Sequence, residues 1–583
     1  MKKPQIYYVI LASIIALVIS WQVLGHIINN DLVVQDDFRQ SMFWTWGLWD
    51  PELFKNDFFA PMYESHTYRV PVLFLIYKLA SLMTPSLIYF SKFLVLVLVI
   101  VTGVFGFLFF QALLNRYESF TKSLGQFKIL GSNINLIDIW SLCFSTILIT
   151  TTWCTDHLSA AHSRSFVWLG ILGYMYFKLI NKHITAGLLC LISIFISPHA
   201  FLICFAMEFF DGIIKYRYKF IDFKRKEFLL WIFNGIAVAF TYLVVFKGIK
   251  TQGVGVPFTV AEMKSLPEFN PGGRHPIFGS SVWDGSWWQN EHWGLGIGYL
   301  PISSIIKYAF IVGLFYLFFV LVGKHSKTIK NNKNIFYNEF SAIFSSTPAT
   351  LLYAAISLYI ASQQLFPVLY LPSRYLAVPS LLLSLITLAL VTGIWLWQLT
   401  QELPKSFANT GLALTLVIAT AYYWNITHMF YHARYVSINP EVNEVLSQTP
   451  KNSLIAAHPL LPDINTASIT SKRKVFIDYE RSMAYTHESL TEIRRRNEVA
   501  LRMTYAKSKD EFIKLARANG ITHFLALYSL YQKSYTDNPN YMEPYNTLSR
   551  ELVKLDPGEF FFLERLMVQN NTSYMVIDIE KLD

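Results

Sequence analysis

The chain has 583 residues, of which 53% are hydrophobic, 16% aromatic and only 15% charged. A soluble protein of this size carries about 25% charged residues, so composition excludes an ordinary soluble enzyme and points to a polytopic membrane protein. The net charge of +10 does not mark a nucleic-acid binder, because its Lys and Arg cluster in short loops: Lys2-Lys3, Lys215 to Lys226 and Lys324 to Lys333. That is the positive-inside pattern of cytoplasmic loops, not a basic face for a phosphate backbone.

The first apolar run, Ile6 to about Gly25, matches the roughly 20 residues that cross a bilayer. No small-residue cleavage site follows it, so it is expected to stay as an anchor. With the N-terminus cytoplasmic, His26 to about Arg69 lies outside and carries Asp36-Asp37, Arg39 and Trp44, Trp46 and Trp49. Val70 to Met83 is short and contains Lys78, which suits a helix lying at the interface. Ser86 to Leu114 returns inward, Leu136 to Thr152 goes out, and Ser165 to Leu179 comes back. Between the last two lies an outer loop with Asp156, His157, His162 and Arg164.

Ile184 to Phe210 conflicts with this alternation. Read as one span, it would put the basic loop after it outside. Ser197-Pro198-His199 interrupts the run, and proline removes a backbone donor and breaks helices. Two half-helices forming a re-entrant hairpin return the chain to the cytoplasm and restore the charge rule.

Phe228 to Phe246 then goes out, and a long outer loop holds Trp283, Trp287, Trp288 and Trp293 among amides and acids. Aromatic faces of this kind suit carbohydrate, lipid head groups or an interfacial belt. Pro301 to Val322 returns, Ala342 to Ala361 goes out, Leu376 to Leu396 comes in and Gly411 to Trp424 goes out. Arg374 and Tyr375 fall at the outer end of a span.

The expected fold is mainly α: a helical membrane bundle of about nine to eleven membrane segments, one of them re-entrant, with a C-terminal α/β domain. Residues 1–424 form the multi-pass domain with its catalytic outer loops. Residues 425–583 form an extracytoplasmic soluble domain, on the side of Asp36-Asp37. Within it, Ser453 to Ala457, Lys474 to Asp478, Thr522 to Leu527 and Tyr574 to Ile577 read as strands. Leu490 to Ala506 and Lys509 to Ala518 read as helices, the second stopped by Asn519-Gly520. Strands alternating with helices indicate an α/β layer. Cys143, Cys154, Cys190 and Cys204 lie in or beside apolar runs without metal spacing and are expected to be buried small side chains.

Asp36-Asp37 is the first candidate for chemistry, as a carboxylate accepting a hydroxyl proton with help from its neighbour or a divalent ion. A solvated loop or a helix cap is the plainer alternative. Arg374 offers a bidentate fork for a phosphate or merely anchors its span. Asp156, His157, His162 and Arg164 suit polar contacts to a sugar or phosphate; a five-residue histidine spacing fits a metal site poorly. His199, Glu64 and His66 are further polar candidates.

This organisation resembles the GT-C superfamily of membrane glycosyltransferases, which use polyprenyl-phosphate sugars. Asp36-Asp37 matches the position of that superfamily's first-loop acidic motif, and Arg374 that of a phosphate-binding basic residue. The segment from Ala456-Ala457-His458-Pro459 through Arg473 to Glu480 is similar to the outer domains of such proteins. The oligosaccharyltransferase Trp-Trp-Asp motif is only approximated by Trp283-Asp284 and Trp287-Trp288-Gln289, so the chain departs from that branch.

The resemblance implies transfer of a sugar from a polyprenyl-phosphate donor to a glycan, lipid or protein acceptor at the outer face of a cell-envelope membrane, with the plasma membrane expected. Asp36 or Asp37 would act as base. Arg374, Tyr375, Arg39, Arg164, Asp156, His157, His162, His199, Glu64 and His66 would bind substrate. No cofactor is implied beyond a divalent cation. Membrane lipids, not nucleic acid, complete the partners. A transporter or flippase, or a non-catalytic envelope assembly protein, is the rival; the former would need ionisable groups at mid-span.

Overall fold

The computed structural model describes residues 3–67, 70–116, 126–129, 132–155, 157–215, 235–236, 255–278, 347–365, 369, 372–399, 405–427, 434–483, 485–537, 539 and 541–582. The span expected at 228–246, apart from residues 235–236, the span expected at 301–322, the tryptophan loop and Asp156 lie outside these residues. Among the described residues, Gln5–Leu24, Leu87–Asn115, Leu136–Trp153 and Ser373–Leu390 are long and apolar enough to cross a membrane.

The chain opens with α1 (Lys3–Leu24), β1 (Val33–Gln35), α2 (Asp36–Ser41), α3 (Phe59–Thr67), α4 (Pro71–Met83) and α5 (Leu87–Asn115). A hairpin of β2 (Gln126–Ile129) and β3 (Ser132–Asn135) leads into α6 (Leu136–Trp153), α7 (Val167–Leu179), α8 (His183–Ile194) and α9 (Pro198–Lys215). α10 (Thr347–Gln364), α11 (Ser373–Leu399) and α12 (Lys405–Thr427) follow. Helix α11 begins earlier than its apolar run, so Arg374 and Tyr375 occupy its first turn instead of a preceding loop.

α1, α5 and α6 pack on one another. A methyl on Gly106 of α5 would stand 2.6 Å from a Leu148 methyl of α6, so glycine there permits the close approach. One end of the trio is pinned by Gln5, which donates to Gln111 at 2.7 Å, and by Gln111 bonding Asp138. At the other end the buried Lys92 ammonium donates to the Ile27 and Asn30 carbonyls at 2.7 and 2.6 Å. It thereby ties α5 to the turns that follow α1, whose two carbonyls also accept the Asn30 and Val33 amides. The outward face of α1 is apolar, with Ile6, Ile10, Ile14, Val18 and Trp21 exposed.

The chain breaks before Pro198 as its sequence requires, and α8 and α9 pack against each other and against α7. Lys178 near the end of α7 pairs with Glu208 at 2.8 Å and Asp211 at 2.9 Å near the end of α9. At the opposite end the start of α9 packs on the turn that opens α7. α7 and α9 therefore run the same way, and residues 183–215 leave one end of the bundle and come back to it.

The C-terminal residues 434–582 lie outside the helical bundle, an outer domain in that sense, and hold a four-stranded sheet in the order β6-β5-β7-β8. Its strands are β5 (Leu454–Ala457), β6 (Lys474–Val475), β7 (His523–Leu527) and β8 (Tyr574–Asp578). β5 pairs parallel with β6 and β7, and β8 closes the edge antiparallel to β7. β6 is shorter than the run Lys474 to Asp478 suggests. Asp478 Oδ1 accepts from the Arg481 amide at 2.7 Å, and that turn ends the extended backbone. Helices His487–Thr504 and Lys509–Ala518 flank the sheet, and Gly520, at φ 64°, closes the second. All four cysteines are buried, and none forms a disulfide.

β4 (Tyr435–Ser437), just after α12, pairs antiparallel with β1, placing Val34 opposite Val436. The strand leading into Asp36-Asp37 is thus stitched to the first strand of the outer domain. Trp46 donates to the Ile469 carbonyl at 2.7 Å, and Gln40 to the Glu480 carbonyl at 2.9 Å. Arg481 lies over the Phe43 ring at 4.4 Å and Lys472 over Trp46 at 3.9 Å. First loop and outer domain form one packed layer at the end of the bundle.

Candidate active site at the junction of loop and bundle

α2 starts at Asp36, capped by Gln35, whose Oε1 accepts from the Phe38 amide at 2.9 Å. Consecutive helical residues point about 100° apart at 3.6 residues per turn, so the two carboxylates diverge. Asp36 Oδ1 accepts from Arg39 Nε and Nη2 at 2.9 and 2.6 Å. Arg39 is buried and continues to Thr466 Oγ1 at 3.3 Å, with Glu480 3.9 Å away in the outer domain. Asp37 turns the other way and its Oδ2 pairs with Arg164.

Arg164 sits in the 3-10 turn Ser163–Phe166, whose first amides are capped by His162 Nδ1 at 3.1 Å from the Arg164 amide. That turn packs on α9, and α9 packs on α11. The rings of His199, in the first turn of α9, and Tyr375, in the first turn of α11, meet at 5.5 Å. His199 lies within Coulombic reach of Arg374, Arg164, His162 and His157. Tyr375 donates to the Leu369 carbonyl at 2.8 Å.

Seven of the sequence candidates therefore converge: Asp37, His157, His162, Arg164, His199, Arg374 and Tyr375. They come from α2, the loop after α6, and the first turns of α9 and α11. Asp36 and Arg39 stand next to them but face the outer domain. Glu64 is exposed on α3 and takes no part in these contacts, and of His66 only the backbone, in α3, is described.

The electrostatics favour an anion. Two helices of 18 and 27 residues begin here, and the amides of a first turn carry partial positive charge with unsatisfied donors. Arg164 and Arg374 add two guanidinium groups. The hydroxyls of Ser165, next to Arg164 in the chain, and of Ser197, two residues before His199, are buried and have no protein partner among the described residues. Buried polar atoms of that kind are normally satisfied. Asp37 keeps 30% of its side chain exposed while Arg164 keeps 11%, so the carboxylate is the accessible member of the pair. Among the described residues no group of three or more His, Cys, Asp and Glu could hold a metal ion.

Sequence reading did not single out Tyr77, Lys92, Arg274 or Arg481. Arg274 donates to the Tyr479 carbonyl at 2.7 Å and pairs with Glu480 at 2.5 Å, tying the segment 255–278 to the same seam. Burial pushes the Glu480 carboxyl up from its usual range, against the pull of Arg274. A charged residue inside the apolar run of α5 was the one available signal for Lys92; the others look like ordinary surface residues in sequence.

No protein-family model matches the sequence, and no curated protein matches it. Solved structures similar to this chain include the oligosaccharyltransferase of Archaeoglobus fulgidus tethered with an acceptor peptide, at 12% identity and a TM-score of 0.43, covering 96% of this chain and 74% of that one. The archaeal enzyme in complex with an inhibitory peptide and a dolichol-phosphate matches at 12% identity and a TM-score of 0.38, over 91% and 70% of the two chains. Its complex with zinc and sulfate gives 13% and 0.41, over 93% and 70%. Similarity at this level assigns no family.

Proposed function

We propose that the chain is an integral-membrane glycosyltransferase that moves a sugar from a polyprenyl-phosphate donor to an acceptor hydroxyl at the outer face of the membrane. The observation that carries this reading is the ion pair between Asp37 and Arg164, set where the first turns of α9 and α11 bring His199 and Arg374 together. It joins a solvent-accessible carboxylate to an anion-binding corner, the two functions that glycosyl transfer from a lipid phosphate needs.

In the proposed reaction, Arg374, Arg164 and the two helix N-termini receive the donor phosphate. The phosphate competes with Asp37 for Arg164, and a carboxylate released from an arginine is the stronger base. Asp37 then takes the proton of the acceptor hydroxyl as its oxygen attacks the anomeric carbon. The bond from that carbon to the phosphate oxygen breaks with inversion. The leaving polyprenyl phosphate gains a negative charge, which the arginines and helix amides stabilise. General-base assistance contributes about 10²–10⁴-fold, and placement of the two substrates much of the rest.

Asp36 and Arg39 anchor α2 to the outer domain in this reading and do not touch the donor. The topology assigned from charge, with the N-terminus cytoplasmic, the outer domain extracytoplasmic and a boundary near 424, belongs to the same proposal, as does any assistance from a divalent cation.

The test is transfer by the purified full chain in lipid nanodiscs, using a panel of polyprenyl-phosphate sugars and acceptors with and without chelator. Transfer lost in Asp37→Asn and kept in Asp36→Asn supports the reading. Wild-type transport of the lipid with no transfer would move it to the flippase class.

A further inference from the structure

The Asp37–Arg164 pair joins two segments that are far apart in sequence, and one side chain stands behind both. Tyr77 of α4 is fully buried. Its ring meets Phe38, the residue after Asp37, at 6.2 Å, and Phe90 of α5 edge-on at 5.4 Å. Its hydroxyl donates to the Ala161 carbonyl at 2.6 Å. Ala161 adopts φ 51°, the left-handed region that non-glycine residues rarely enter. Such a conformation persists only where its surroundings fix it. The residues that follow it are His162, which caps the next turn, and Arg164.

α4 is itself held on several sides. The Val72 amide donates to the Phe195 carbonyl at 3.2 Å, in the break between α8 and α9. Phe74 stacks on Trp44 at 6.3 Å, and Trp49 donates to the Thr84 carbonyl at 2.6 Å. The helix therefore contacts the first loop, the turn before Arg164 and the segment that leads to His199.

We propose that Tyr77 is a positioning residue that sets the spacing of Asp37 and Arg164, holding Phe38 with its ring and the left-handed turn at Ala161 with its hydroxyl. The role rests on the phosphate-site reading above. Tyr77→Phe keeps the ring packing and removes the hydroxyl's bond to the Ala161 carbonyl, so Arg164 loses its aim while α4 stays folded. Ala161→Gly removes the backbone penalty, so the turn in the double variant keeps its shape without the hydroxyl.

The experiment uses the full chain in nanodiscs, with two readouts: amide hydrogen exchange over residues 158–166, and binding of farnesyl phosphate. Tyr77→Phe is expected to speed exchange in that segment about tenfold and weaken farnesyl phosphate binding about tenfold, with the rest of the exchange map unchanged. Tyr77→Phe combined with Ala161→Gly should bring both readouts back to within about threefold of wild type. Unchanged exchange in Tyr77→Phe overturns the proposal, because the hydroxyl would then not hold the turn. Faster exchange with unchanged binding also overturns it, leaving Tyr77 a structural residue. If wild type itself does not bind farnesyl phosphate, the phosphate-site reading fails and the positioning role falls with it, an outcome told apart because the parent protein fails and not the variant.

Discussion

Asp37 and Arg164 are 127 residues apart in the chain and form an ion pair in the folded protein. Its neighbour Asp36 pairs with Arg39, one turn along the same helix. Two adjacent carboxylates thus serve opposite sides of one short helix, one facing the bundle and one the outer domain.

The first prediction separates them. Asp37→Asn should lower kcat by about 10²–10⁴-fold while donor binding is kept or tightened, because Arg164 no longer divides itself between carboxylate and phosphate. Asp36→Asn should leave kcat within a few-fold and instead speed hydrogen exchange in β1 and β4. Steady-state kinetics with donor-binding isotherms on both variants checks this.

That division was not legible in the sequence. Asp36-Asp37 announces itself as a pair of acids after an apolar run, and nothing in the local pattern says which faces the bundle. The answer depends on where α2 begins, which Gln35 fixes by capping Phe38. Arg39 looked like a phosphate ligand until its distance of one turn from Asp36 closed an i,i+3 pair. Apolar runs gave α5, α6 and α7 to within one or two residues, and Pro198 gave the break. The β1–β4 pairing joins residues some 400 positions apart, a contact that no local periodicity encodes. Tyr77 was unreadable for the same reason, as was the reach of Arg481 to the rings of Phe43 and Phe59, more than 400 positions away.

Arg374→Ala should raise the donor KM by about 10- to 100-fold with a smaller loss in kcat, since a hydrogen bond to a charged group is worth about 1.5–3 kcal/mol. Arg374→Lys should recover only part, because an ammonium cannot reproduce the planar fork. Kinetics at varied donor and saturating acceptor measures both.

Arg481 and Asp478 are buried together, 1% and 0% exposed, with Arg481 Nε 2.8 Å from Asp478 Oδ2. The contact is ionic and lacks hydrogen-bond alignment at those two atoms. Arg481→Met leaves a buried carboxylate uncompensated and removes the cation from the faces of Phe43 and Phe59. It should cost about 3–5 kcal/mol, seen as lost exchange protection in β5, β6 and the first loop together.

His458 follows β5 and is enclosed by Tyr505, Tyr535 and Tyr541. Burial holds its imidazole down at about 3, well below the usual value near 6.5. The unfolded chain binds the proton more readily than the folded one, so stability rises with pH across that window. Outer-domain stability should therefore fall as pH drops from about 6.5 toward 3, by roughly 1 kcal/mol per unit. His458→Asn should flatten the decline, measured by exchange protection of β5 and β7 in the full chain at several pH values.

In the proposed complex, donor phosphate sits between Arg164 and Arg374, at the first turns of α9 and α11, with Asp37 beside it. A cryo-EM structure of the Asp37→Asn variant in nanodiscs with farnesyl phosphate tests it most directly. Phosphate density is expected within hydrogen-bond distance of both guanidinium groups, on the His199 side of α2. Phosphate bound elsewhere, or Asp37 and Arg374 lining separate cavities, would contradict it.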